Sequence, residues 1–290
     1  MAKISSKSKV EKYVAKADAK LASAVTKAKV TSPFTIEVRF LGGLTQTQKN
    51  AFKIAADRWT RVIVGDLPSV QVDGEIIDDI VIQAQGQAID GPGGILGQAG
   101  PTRLRPANAG SAAFLPAKGK MAFDTADLKK MEQNKTLNDV ITHEMGHVLG
   151  IGTVWSMKKL LKGAGGSNPT FTGKNAMREY GVLRKGAAKA VPVENTGGQG
   201  TADSHWRESV FRSELMTGFV GAAGNPLSRL TAASLQDLGY QVNMDAAEPY
   251  NLPNLLALAE SGALISADSI LKSGTMLPNI PLVLPGDSLV

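Results

Sequence analysis

The chain has 290 residues, 43% of them hydrophobic and 20% charged, a balance that excludes wholesale disorder, collagen and coiled coil. No run approaches the roughly 18 to 20 apolar residues of a membrane-crossing helix, and the complete lack of cysteine excludes disulfides and thiolate metal sites. The formal net charge of +6 belongs to one segment: residues 1–30 hold eight lysines against Glu11 and Asp18, and beyond them acids and bases balance, so the body is no nucleic-acid-type basic surface.

That basic segment places Val10, Val14, Ala17, Leu21 and Val25 at helical spacing, and residues 1–32 are expected to be a basic amphipathic helix. They lack the apolar core of a secretory leader, so the usual signal-peptide route is not expected. Phe34, Ile36, Val38 and Phe40 alternate with polar residues, as in a half-buried strand. Residues 45–63 then carry Phe52, Ala55, Ala56, Trp59, Val62 and Ile63 on one helical side. Ile80, Ile82 and Ala84 predict a second strand. Residues 86–119, rich in Gly, Pro and Ala, read as loops around a short strand at Ile95-Leu96, and Met121–Phe123 as a further strand. A second helix begins near Thr136, whose hydroxyl is expected to cap it with Asp139 in the acidic position of a capping box. Leu137, Val140, Ile141 and Val148 form its buried stripe, and Gly150 and Gly152 end it. Residues 158–204 are polar and poor in apolar anchors, which reads as a long surface insertion. Residues 251–290 read as a short helix and an extended tail. The pattern is that of an α+β protein, a mixed sheet with helices on it.

The second helix carries His143-Glu144-Met145-Gly146-His147. Histidines four apart project from one helical face a turn apart, within reach of one zinc ion. Glu144, beside the first, can take a proton from water on that zinc. The chain contains one other histidine, His205, and zinc hydrolases commonly use three protein ligands. The third ligand is therefore His205 or a carboxylate such as Glu208 or Glu214. Gly146, inside the helix, costs about 1 kcal/mol against alanine, which calls for a packing or site reason. Three readings follow: a zinc-dependent hydrolase with three histidines, one with an acidic third ligand, or a non-catalytic protein that a zinc site stabilises.

The stretches HEMGHVLGIGTVW (143–155) and SHWRESVFRSELMTGF (204–219) together resemble the leishmanolysin family of metzincin zinc peptidases, and NPLSRLTAASLQDLGY (225–240) resembles the helix that follows them there. The resemblance implies a metzincin-like zincin fold: a twisted mixed sheet, an active-site helix, and a smaller C-terminal subdomain carrying the third ligand and a methionine turn. It implies that residues 151–204 are an insertion before the third ligand, that His143, His147 and His205 bind Zn2+, and that Glu144 is the general base. It also implies that Met216 forms the apolar floor beneath the metal and that the substrate is a protein or peptide. The corresponding division is an N-terminal catalytic subdomain at 33–157, an insertion at 158–204, a C-terminal subdomain at 205–250 and a tail at 251–290. By analogy, Gly94–Ala99 resembles the edge strand that pairs with extended substrate.

The chain departs from its eukaryotic counterparts in lacking cysteine, which rules out a cysteine latency switch and suggests a compact bacterial-type relative. Gly218 stands where some metzincins have a zinc-binding tyrosine. The ending Gly286-Asp287-Ser288-Leu289-Val290 resembles leaderless export signals, so secretion without an N-terminal signal peptide is expected.

Overall fold

The structure is a computed structural model and describes residues 10–198, 200–218, 223–255, 258 and 275–290. Its organising element is a mixed sheet. Strand β1 (Glu11–Lys16) runs antiparallel to β2 (Thr35–Phe40), which is parallel to β5 (Ile80–Gln87), itself parallel to β7 (Pro116–Asp124). Strand β6 (Ile95–Leu104) lies antiparallel to β7, and its outer edge carries β11 (Thr275–Pro278) and β12 (Leu282–Val283), both parallel to it. The expected alternation in β2 holds: Ile36, Val38 and Phe40 are buried. They meet α2 (Gln46–Val62), whose start is closed by a reciprocal capping box between Thr45 and Gln48.

Helix α2 and helix α4 (Leu137–Val148) lie together on this face, and Trp59 Nε1 donates to the Thr142 carbonyl at 2.9 Å across their contact. Gly119 of β7 has no room for a side chain against Val148, so α4 rests directly on the sheet. The opposite face is covered by the hairpin of β3 (Val70–Val72) and β4 (Glu75–Ile77). There Val70, Val72 and Ile77 pack on Val81 and Ala117, with Leu284 and Leu289 of the tail against them. Among the described residues no helix is long and apolar enough to cross a membrane.

Several expectations need correction. The N-terminal segment is not one helix: β1 precedes a short α1 (Ala19–Thr26), and Lys3, Lys7 and Lys9 lie outside the described residues. The burial period there is two, with Tyr13 half-buried and Ala15 and Ala17 buried, while Val10 and Val14 are exposed. Asp18 breaks the run because its side chain caps α1 at Leu21 N. Strand β6 is ten residues long, not two. Thr136 makes no side-chain cap: the chain enters α4 from α3 (Thr125–Asn134), so Thr136 is helical, and Asp139 instead accepts from Gly224 N and Asn225 N. Residues 158–204 are anchored and carry a small sheet of β8 (Leu161–Lys162), β9 (Thr170–Phe171) and β10 (Val191–Pro192), with the single turn α6 (Glu208–Phe211) just beyond. Phe171, Ala176, Tyr180, Val191 and Val193 belong to the main core, and α5 (Lys174–Leu183) packs on α7 (Arg229–Leu238). The helix expected after residue 251 falls largely outside the described residues.

Candidate metal centre

Helix α4 ends at Val148, and Gly150 at φ +109° turns the chain as expected. That turn brings the Ile151 carbonyl back to His147 Nδ1, at 2.8 Å. His143, one turn earlier, sets its Nδ1 2.7 Å from the Leu215 carbonyl. His205 sets its Nδ1 2.8 Å from the Thr201 carbonyl and 2.9 Å from Ser204 Oγ. A carbonyl can only accept, so each Nδ1 carries the proton and each Nε2 presents a lone pair. The three Nε2 atoms lie 2.9 to 3.0 Å from one another. These contacts are therefore not hydrogen bonds; they are three acceptors converging on one point.

Each of the three imidazoles is less than a tenth exposed. Burial, with His147 adding repulsion, holds His143 down to about 3; burial alone holds His147 to about 4, and burial with the two neighbours holds His205 well below its ordinary value. All three are thus neutral at physiological pH. Three neutral imidazole nitrogens so arranged form one face of a tetrahedron, close to the roughly 3.3 Å edge that zinc–nitrogen bonds of 2.0 to 2.1 Å give. Imidazole is a suitable ligand for zinc, and the donor set fits such an ion. Glu144 is adjacent and buried. Burial pushes its pKa up to about 8.

The third histidine comes from irregular chain, and buried groups hold it there. Gly152, at φ +75°, has no room for a side chain against Ser204, so the turn after α4 abuts the approach to His205. Trp206 donates its backbone N–H to Met216 O and its indole N–H to Thr231 Oγ1, and stacks on Trp155 at 4.8 Å. Glu214 anchors the turn below. Its carboxyl accepts from Met216 N at 2.6 Å, Ser228 Oγ at 2.7 Å and Thr231 Oγ1 at 2.5 Å. Burial raises the Glu214 pKa against these hydrogen bonds. Leu215, between Glu214 and Met216, supplies the carbonyl behind His143. Glu194 accepts from Asn195 N, Thr196 N and Glu208 N, tying the chain before His205 to the chain after it.

His143, His147 and His205 are thus brought together, and neither Glu208 nor Glu214 joins them. Met216 is fully buried beneath the helix: a Cβ on Gly146 would meet its Sδ at 2.8 Å and Trp59 Cζ2 at 3.0 Å. That close packing explains the glycine between the two helical histidines. Sequence reasoning missed the roles of Glu194, Glu214 and Thr231. It also missed the carbonyls of Ile151, Thr201 and Leu215, which carry no residue-type signal.

The fold and this centre define a protein with an HExxH-type histidine triad suited to a metal ion. The family model described as leishmanolysin matches residues 112–259, and the chain belongs to that family, one of zinc metalloendopeptidases. It is similar to leishmanolysin of Leishmania tropica, 31% identical over 146 residues, covering 46% of this chain and 21% of that one. It is also similar to the leishmanolysin-like peptidase of Caenorhabditis elegans, 40% identical over 77 residues, 26% of this chain and 11% of the relative. The leishmanolysin homolog of Crithidia fasciculata is 29% identical over 137 residues, 43% and 20% of the respective chains. The chain therefore spans about a fifth or less of the length of these relatives.

Proposed function

We propose that this chain is a zinc-dependent endopeptidase acting on polypeptides, with His143, His147 and His205 as the zinc ligands and Glu144 as general base. The observation that carries this reading is the convergence of three Nε2 lone pairs, each fixed by a hydrogen bond at Nδ1. Backbone acceptors of that kind set the tautomer, hold the ring and raise the basicity of the ligating nitrogen. Held by these three histidines, zinc would supply Lewis acidity, lowering the pKa of a water toward about 7 and polarising the scissile carbonyl. Glu144, next to His143 in sequence, would accept the proton of the attacking water and pass it to the departing amine. Burial raises the Glu144 pKa to about 8, and a divalent cation held by the three histidines would lower it and favour the ionised base. Met216 closes the underside of the centre with an apolar surface.

Purified protein is incubated with a peptide library, with and without 1,10-phenanthroline, and its metal content is measured. Cleavage abolished by the chelator and restored by zinc is expected, with one zinc per chain. Zinc-replete protein that cleaves no library member contradicts the reading.

A further inference from the structure

The sheet has two ends, and only one adjoins the histidines. Helix α4 packs on β6 and β7, and β1 lies at the far edge. The outer side of β6 is therefore the sheet edge beside the metal centre, where an extended polypeptide could find backbone partners by strand addition. That side is taken by the chain itself. Met276, Leu277 and Pro278 pair with Gly97, Gln98 and Ala99, and Asn279 Nδ2 donates to Gly100 O at 3.0 Å.

The other flank of β11 faces the metal loop. A Cβ on Gly200 would sit 2.6 Å from Met276 O, and the neighbouring Thr201 supplies the carbonyl that fixes His205. Strand β11 thus lies between the β6 edge and the segment that delivers the third histidine. It is also loosely held. Its register is irregular between Thr275 and Met276, Pro278 has no N–H to give, Leu277 is 42% exposed and Ile280 92% exposed. By contrast, the chain just beyond is fastened: Leu284 N donates to Leu104 O, Val290 N to Ser69 O, and Leu289 is half-buried against the second core cluster.

We propose that Thr275–Pro278 is a tethered occupant of the peptide-binding edge, competing with an extended polypeptide substrate and leaving when one enters. The proposal rests on the peptidase reading for its consequence, but the occupancy is a property of the edge itself. A tethered segment acts at an effective concentration in the millimolar range, so it raises KM and leaves kcat alone. Displacing it requires no disruption of the fastened residues 284–290.

Because the natural chain has no cysteine, a lock can be built cleanly. Gln98 and Leu277 are register partners on adjacent strands, at a spacing a disulfide spans. Gln98→Cys with Leu277→Cys, oxidised, should keep its zinc and lose at least about tenfold in kcat/KM on a short peptide. Reduction with tris(2-carboxyethyl)phosphine should restore it. Met276→Pro with Leu277→Pro, which removes two N–H groups of β11, should lower KM several-fold at unchanged kcat. Binding of a fluorescent peptidyl hydroxamate, read by polarisation, should follow the same order, weakest in the locked form. Equal peptide binding and turnover by locked and reduced protein would overturn the proposal, as would failure of every form to bind the peptide. If binding follows the predicted order while no form hydrolyses any peptide, the occupancy stands and the peptidase reading falls.

Discussion

The candidate metal centre is assembled from two regions built on different principles. His143 and His147 stand on regular helix, where backbone hydrogen bonds and the packing of α4 on α2 and the sheet fix their spacing. His205 and Met216 stand on chain with little regular structure, held by side chains that are themselves buried and hydrogen-bonded, chiefly Glu194 and Glu214. A helix can therefore lose a side-chain contact and keep its ligands in register. The turn region has no such reserve, because its geometry passes through a few buried carboxylates. Substitutions of equal size should then cost more there than on α4.

The largest effect is expected at the ligands. His205→Ala should abolish hydrolysis and weaken zinc by well over the roughly 10 to 100-fold typical of groups that only support a ligand. Glu208→Gln should keep the metal in the same titration. Normal zinc binding by His205→Ala, with loss in the Glu208 variant, would assign the third ligand wrongly. Glu214→Gln sharpens the contrast. It should still take up zinc when zinc is in excess, with affinity lowered about tenfold, and lose about 2 kcal/mol in urea unfolding as an acceptor of several hydrogen bonds is removed. An unchanged midpoint would show that the turn does not depend on that carboxylate.

The helical side should be more forgiving. Gly146→Ala gains about 1 kcal/mol in helix propensity but forces Met216 and Trp59 apart, a cost of about 1 to 3 kcal/mol, so a net loss of about 1 kcal/mol is expected. A gain in stability would show that the Met216 side chain yields freely.

A smaller test uses a buried carboxyl remote from the histidines. Asp79 accepts from Thr35 N and Leu67 N, yet burial pushes its pKa up to about 7 from 3.8. The folded state then holds the proton more tightly than the unfolded chain. Its contribution is full below about pH 4 and is lost as pH rises through 7, at most about 4 kcal/mol. Melting curves of the natural chain and Asp79→Asn should show a difference that varies with pH over this window. A pH-independent difference would mean that Asp79 is ionised throughout.

The same division explains what could be read from the amino acids. The convergence of His143 and His147 was legible because a helix converts a four-residue spacing into a shared face, and the strand of Ile36, Val38 and Phe40 because alternation does the same for a sheet. His205 was legible as the one remaining histidine, and Met216 only through family resemblance. The buried role of Glu214 was not legible: an acid between Ser213 and Leu215 has no pattern that distinguishes a clamp from a solvent-facing or metal-binding carboxylate. The N-terminal segment misled because alanine fits a strand interior and a helix stripe alike; Ala15 and Ala17 are buried at period two. Strand β6 was hidden by its glycines, which read as turns. Gly97 is instead required where β7 approaches, since a Cβ there would strike the Ala122 carbonyl.

The proposed roles divide between the three histidines, as holders of the metal, and Glu144, as carrier of the proton. This division is tested most directly by measuring bound zinc and peptide turnover together in Glu144→Gln. One zinc per chain is expected, with turnover lowered by about 100 to 10,000-fold, the contribution of a general base. Loss of zinc in step with activity would make Glu144 part of the metal site, and full activity with zinc bound would remove it from the chemistry.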